Sequence, residues 1–252
     1  MSLRSELGKV RQRLLSRIHS RPLLLANPQP VVSFCFDDFP RTAYTVGGAI
    51  LKDAGVRGTY YTALGLMNTR NELGDQFTSQ DLESLLSDGH EVGCHTFSHI
   101  SCRRVPFEVF ENDVRRGCEA VCEITGKEKV NFAYPFGHVT ITAKRRLGFQ
   151  MGSSRGIYGG LNARTADLNL LRANSLYGDV DQYSAIEALL SDNLRLNGWL
   201  IFYTHDVHRT PSPFGCTPEL LEKTVVACLQ RGFRVRLVEE VVAQDSMADA
   251  SE

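Results

Sequence analysis

From Val31 onward the chain alternates short apolar runs with stretches of helical period, and that alternation limits the folds open to it. VVSFCF (31–36) is apolar throughout, as a strand covered on both faces must be. A helix through Ala49–Ala54 follows and stops at Gly55. GTYYTAL (58–64) predicts a second strand. Thr78 then caps a helix that turns Leu82, Leu85 and Leu86 inward, with Gly89 after its end. EVGCH (91–95) predicts a third strand, and Phe107 to Thr125 a long helix ended by Gly126. VNFAYPF (130–136), FQMGSS (149–154) and WLIFYTH (199–205) continue as strands with helical segments between them. Thr217 caps a last helix, with Pro218 at its first position and Gly232 closing it, before FRVRLV (233–238). Strand and helix in alternation predict a parallel sheet covered by helices, and roughly seven such units suit a barrel better than an open sheet.

Residues 31–242 therefore read as one α/β domain, flanked by 1–30 and by a tail, 243–252, expected to be disordered. In residues 1–21, Leu3, Leu7, Val10, Leu14 and Ile18 recur at spacings of three and four, with six Lys/Arg against one Glu. That stripe predicts an amphipathic helix, packed on the domain or making a peripheral membrane contact. Pro22, Pro28 and Pro30 mark a linker into the domain. No run of 18 apolar residues occurs, so no transmembrane segment is expected.

With 28 basic and 29 acidic side chains, the net charge of −1 argues against a dedicated nucleic-acid binder. Seven cysteines cannot all pair within one chain. The apolar run Leu23–Ala26 is too short for the core of a secretory signal, so reduced thiols and a cytoplasmic location are expected. Cys118 and Cys122, four apart on a predicted helix, read as core residues rather than a metal or redox pair.

Functional side chains of parallel α/β folds gather where strands end. Asp37-Asp38 ends a buried strand, where two carboxylates need cations or donors, although such a pair could also cap the next helix. His95 and His99 follow the third strand, four residues apart. Together with Asp38 they offer two nitrogens and a carboxylate, the donor set of a zinc-type site with positions left open for water and substrate. FAYPFG (132–137) fixes a sharp loop in which Tyr134, Pro135 and Phe136 are candidates for substrate contact. His205, ahead of Asp206 and His208, ends another strand and is a candidate general acid.

FDD after the first strand, HTFSH after the third, YPFG after the fourth and a late THD together resemble the polysaccharide deacetylase (NodB-homology, carbohydrate esterase family 4-like) family over residues 31–240. The resemblance implies a distorted (β/α)7 barrel that removes acetyl groups from N-acetylated sugars in oligo- or polysaccharide. By it, Asp37 is the base, Asp38, His95 and His99 hold one divalent metal, His205 is the acid, and the N–H of Phe136 helps hold the oxyanion. Zinc is the first expectation, with cobalt, nickel or iron also suited to such ligands. Related readings are an amidase or esterase acting on cyclic amides or O-acetyl sugars, and a non-catalytic sugar-binding member.

The chain departs from the family pattern in several places. Where the family writes Arg-any-Pro-Tyr, this chain has Ala133 and Phe136 at the arginine and tyrosine positions. Phe39 replaces the glycine after the aspartates, and the acidic fourth motif has no counterpart. Arg172, following the apolar run LNLL (168–171), is the expected replacement for the arginine that orients Asp37.

Overall fold

Every residue of Val31–Asp38 (β2) is buried, and its side chains alternate between two cores. Val32, Phe34 and Phe36 join the larger cluster, which also holds Leu51, Phe110 and Leu220 from the helices. Val31 and Cys35 join a second cluster with Tyr61, Ala133, Trp199 and Ile201, on the concave side of the sheet. The computed structural model describes Leu15 and residues 17–243. The amphipathic stripe of residues 1–21 and the tail therefore lie largely outside the described residues. Leu15 itself is buried in the larger core, and its carbonyl accepts from Lys144 Nζ at 2.5 Å.

Beyond β2, the parallel sheet uses Thr59–Thr62 (β3), Glu91–Cys94 (β6), Phe132–Ala133 (β7), Ser154–Arg155 (β8), Asn174–Ser175 (β10) and Trp199–Thr204 (β11). The order is β10-β11-β2-β3-β6-β7-β8, with every neighbour parallel. Arg234–Val235 (β12) pairs with the start of β2. The sheet is curled, the arrangement of a distorted (β/α)7 barrel. The edge strand β8 is bonded to residues 168–171, which lead into the other edge strand, β10: Ser154 N donates to Leu168 O at 2.7 Å and Leu171 N to Ser154 O at 2.9 Å.

Pro22–Leu24 (β1), within the stretch read as a linker, is instead a strand, antiparallel to Thr165–Asp167 (β9), and its Leu23 is buried in the second core. Two small strands, Arg70–Asn71 (β4) and Gly74–Asp75 (β5), make a hairpin beside the sheet.

The helices are Ala49–Asp53 (α1), Ser79–Ser87 (α2), Phe107–Thr125 (α3), Ile141–Leu147 (α4), Tyr183–Leu196 (α5), Pro218–Gln230 (α6) and Val238–Val242 (α7). The caps fall where the residue types predict them: Thr78 accepts from Asp81 N in a capping box, Thr217 accepts from Leu220 N, and Gly126 ends α3 at φ 69°. Below the sheet, the N-terminus of α7 meets a buried carboxylate. Glu91 accepts from Glu239 N at 3.0 Å, Thr59 Oγ1 at 2.7 Å and Asn131 Nδ2 at 2.6 Å. Burial, then the nearby charge of Glu239, pushes the Glu91 pKa up to about 7.

No disulfide joins the cysteines among the described residues; Cys118 and Cys122 are half-buried on α3. Among the described residues no helix is long and apolar enough to cross a membrane.

Candidate active site

Because the strands run parallel, their C-terminal ends form a single rim. Asp37 and Asp38 end β2, His95 follows β6, Arg155 ends β8 and His205 follows β11. Together with Phe136 these residues line or adjoin a cavity of about 390 Å³.

The turn after β2 leaves extended geometry at once: Asp38 has φ 64° and Phe39 φ 67°. Left-handed backbone costs a side chain-bearing residue roughly 1–2 kcal/mol, which explains why glycine suits position 39. Phe39 offsets that cost by burial. It is fully buried, stacked on Phe77 at 4.6 Å with 6° between ring planes, and against Tyr60 at 5.2 Å.

The ligand atoms of Asp38, His95 and His99 all lie within 4.8 Å of one another. Asp38 Oδ1 is 3.3 Å from His95 Nε2 and 3.0 Å from His99 Nε2, yet it has no hydrogen-bond partner although buried. His95 Nδ1 lies 2.8 Å from Ala133 O, which can only accept, so Nδ1 carries the proton and Nε2 turns toward the carboxylate. Burial opposes ionisation of Asp38, but the adjacent rings of His95 and then His99 hold its carboxyl well below the usual range. Burial, then the charge of His95, lowers the His99 pKa to about 4 and keeps that ring neutral. Burial lowers the His95 pKa too, but the Asp38 carboxylate outweighs it and the net shift is upward. A buried anionic oxygen without a donor, facing two imidazole nitrogens, fits a divalent cation.

The His95–His99 turn is braced from α3. Asp113 Oδ2 accepts from Phe97 N at 3.1 Å and Ser98 N at 2.9 Å, and Oδ1 accepts from Ser98 Oγ at 2.9 Å. Gly117 on the same helix lies so close to Thr96 and Phe97 that an added Cβ would sit 2.7 Å from backbone. These contacts hold Thr96 at φ 62° and His99 at φ 55°. No motif in the sequence marks Asp113.

Asp37 is partnered by Arg155, not Arg172, and the expectation for Arg172 is corrected. Arg155 pairs in register with Ala133 and stands at a bridge to Leu171. Its guanidinium is buried, bonds Asp37, and lies over the rings of Tyr61 and Tyr203 at 4.7 and 5.1 Å. Burial works against its charge, but Asp37 outweighs this and keeps it protonated. Leu171 points into the second core, so Arg172, one residue on, points the other way and donates to Gly159 O at 3.0 Å. The readable signal was an arginine directly after the predicted strand FQMGSS (149–154).

Two expected substrate contacts are also corrected. Tyr134 and Pro135 are buried and do not line the cavity. Ala133 faces the concave core, so alternation sends Tyr134 to the helix side, against Phe132. Phe136 does line the cavity, half-exposed at φ 59°, its ring 4.6 Å from that of His99. His205 lines the same cavity with Tyr203, its ring beside those of Tyr177 and Phe214. Its Nδ1 is 3.1 Å from Phe214 O, so the ring is oriented by a backbone carbonyl where the family uses an acid.

The polysaccharide deacetylase family model matches residues 25–152. No curated protein matches this chain. Among solved structures, peptidoglycan deacetylase PdaC from Bacillus subtilis aligns at TM-score 0.54 and 16% identity, covering 90% of this chain and 98% of that one. The Xyl-CE4 domain of a multidomain xylanase from the hindgut metagenome of Trinervitermes trinervoides aligns at 0.57 and 14%, covering 86% and 92%. A family 4 acetyl xylan esterase from Clostridium thermocellum, in complex with a cobalt ion, aligns at 0.55 and 16%, covering 85% and 91%. At these identities the neighbours establish the fold, and the family model establishes the kinship: the chain belongs to the polysaccharide deacetylase family.

Proposed function

We propose that this chain is a metal-dependent hydrolase that removes acetyl groups from N-acetylated sugars. The observation that carries the reading is the unpartnered, buried Oδ1 of Asp38 between two histidine nitrogens, beside a carboxylate held by a buried arginine. Asp38, His95 and His99 would hold the ion, which when bound supplies Lewis-acid polarisation and a more acidic water.

The remaining chemistry belongs to the chain. Asp37, held by Arg155, accepts the proton of the attacking water at its carboxylate. His205, with Nδ1–H committed to Phe214 O, presents Nε2 as the site from which a proton can pass to the leaving amine. The half-exposed Phe136 ring offers an apolar face to a sugar ring. Residues at the ends of five strands, β2, β6, β7, β8 and β11, thus divide binding, deprotonation and protonation among them.

The test is acetate release from N-acetylated chitin oligosaccharides set against O-acetylated xylan fragments, with metal supplied to the stripped protein. Faster release from the N-acetyl substrate is the expected result. Release from the O-acetyl substrate alone would make the chain an esterase, and release from neither would remove the catalytic reading.

A further inference from the structure

Directly after His205 the chain folds a compact loop, residues 206–216, around one buried carboxylate. Asp206 is buried; its Oδ2 accepts from Ser212 N at 2.8 Å and its Oδ1 from Ser212 Oγ at 2.5 Å. Ser212 Oγ in turn accepts from Phe214 N at 3.2 Å. The stem is closed by Cys216 N donating to Asp206 O at 3.0 Å and His208 N to Cys216 O at 3.1 Å. Gly215 is required for this closure, since a Cβ there would collide with Asp206. The loop ends with Phe214 O accepting from both His205 N, at 3.2 Å, and His205 Nδ1, at 3.1 Å.

We propose that Asp206 is the positioning residue for the acid His205, acting through Ser212 and the carbonyl of Phe214. This rests on the deacetylase reading of the site. A carbonyl can only accept, so the contact fixes the ring as the Nδ1–H tautomer and leaves Nε2 as the nitrogen to be protonated for catalysis. A carboxylate would do the same directly; here the carboxylate sits one loop away and sets the carbonyl instead. The step served is breakdown of the tetrahedral adduct. The C–N bond breaks, its electron pair stays on nitrogen, the Nε2 proton of His205 joins that nitrogen, and the carbonyl re-forms as acetate is released. A leaving group stable as an anion does not need that proton, and this separates positioning of the acid from general damage to the site.

The experiment compares wild type with Ser212→Ala and Asp206→Asn, on an N-acetyl oligosaccharide and on p-nitrophenyl acetate. Ser212→Ala is the milder change, because Ser212 N still reaches Asp206. Histidine ¹⁵N–¹H spectra of the metal-free proteins read the His205 tautomer independently of activity. The expected result is a fall in kcat on the amide of about tenfold, up to a hundredfold, as a misplaced catalytic group gives. Cleavage of p-nitrophenyl acetate stays near wild type, and the His205 Nδ1–H signal is lost or mixed with the other tautomer. Equal slowing on both substrates, or a His205 tautomer unchanged in both variants, overturns the proposal. A wild type inactive on both substrates would remove the deacetylase reading, while the spectra would still decide whether Asp206 sets the ring.

Discussion

Ala133 and Arg155 stand opposite each other in the ladder between β7 and β8, and the arginine's guanidinium closes on Asp37. The family's arginine position is thus empty, and the charge it would carry comes from the next strand at the same level.

Arg155→Lys keeps the charge but loses the planar fork that matches a carboxylate. Steady-state kinetics should show kcat lowered about tenfold or more, with metal content unchanged, as for loss of a partner that orients a catalytic group. Arg172→Ala should be close to wild type, because its guanidinium bonds Gly159 O. The opposite pattern would return the role to Arg172.

Asp113 gathers two backbone N–H groups and one hydroxyl of the turn carrying His95 and His99. Asp113→Ala should weaken divalent-ion affinity by about 10- to 100-fold in a competition titration. Affinity equal to wild type would mean that the turn holds its shape without the helix.

Phe39 sets strain against burial. Phe39→Gly relieves roughly 1–2 kcal/mol of left-handed backbone but deletes a fully buried ring, a loss of about 3–5 kcal/mol. Denaturant unfolding should therefore show a net loss of roughly 1–4 kcal/mol. An unchanged or increased stability would mean that the stack on Phe77 contributes little.

Glu91 links stability to pH. Its folded-state pKa, about 7, lies above the ordinary 4.5, so the folded protein binds that proton more tightly than the unfolded chain. The stabilisation is fully present below pH 4.5 and is lost as pH rises through 7. Wild type should lose unfolding free energy relative to Glu91→Gln over that window, as read by unfolding curves at each pH. A difference that does not vary with pH would place the Glu91 pKa near its ordinary value.

The alternation that predicted the sheet is also the rule that decides what each rim residue faces. VVSFCF and WLIFYT were legible because they are long and apolar. β7 and β8 are two residues each, since the tight curl leaves little room for regular pairing, and apolar runs overstate them. Asp38, His95 and His99 come together because each stands at a strand end, which sequence reading can find. Two assignments failed on facing: Ala133 turns inward and so sends Tyr134 out, and Leu171 does the same to Arg172. Phe214 could not be read at all, because its contribution is a carbonyl that every residue possesses.

The most direct test of the account is a metal titration of the stripped protein, followed by acetate release from an N-acetylated oligosaccharide. Activity should rise with bound divalent ion and saturate at one ion per chain, and His95→Ala should lose both binding and release. Acetate release that is undiminished in the stripped protein, or a fully occupied and active His95→Ala, would contradict it.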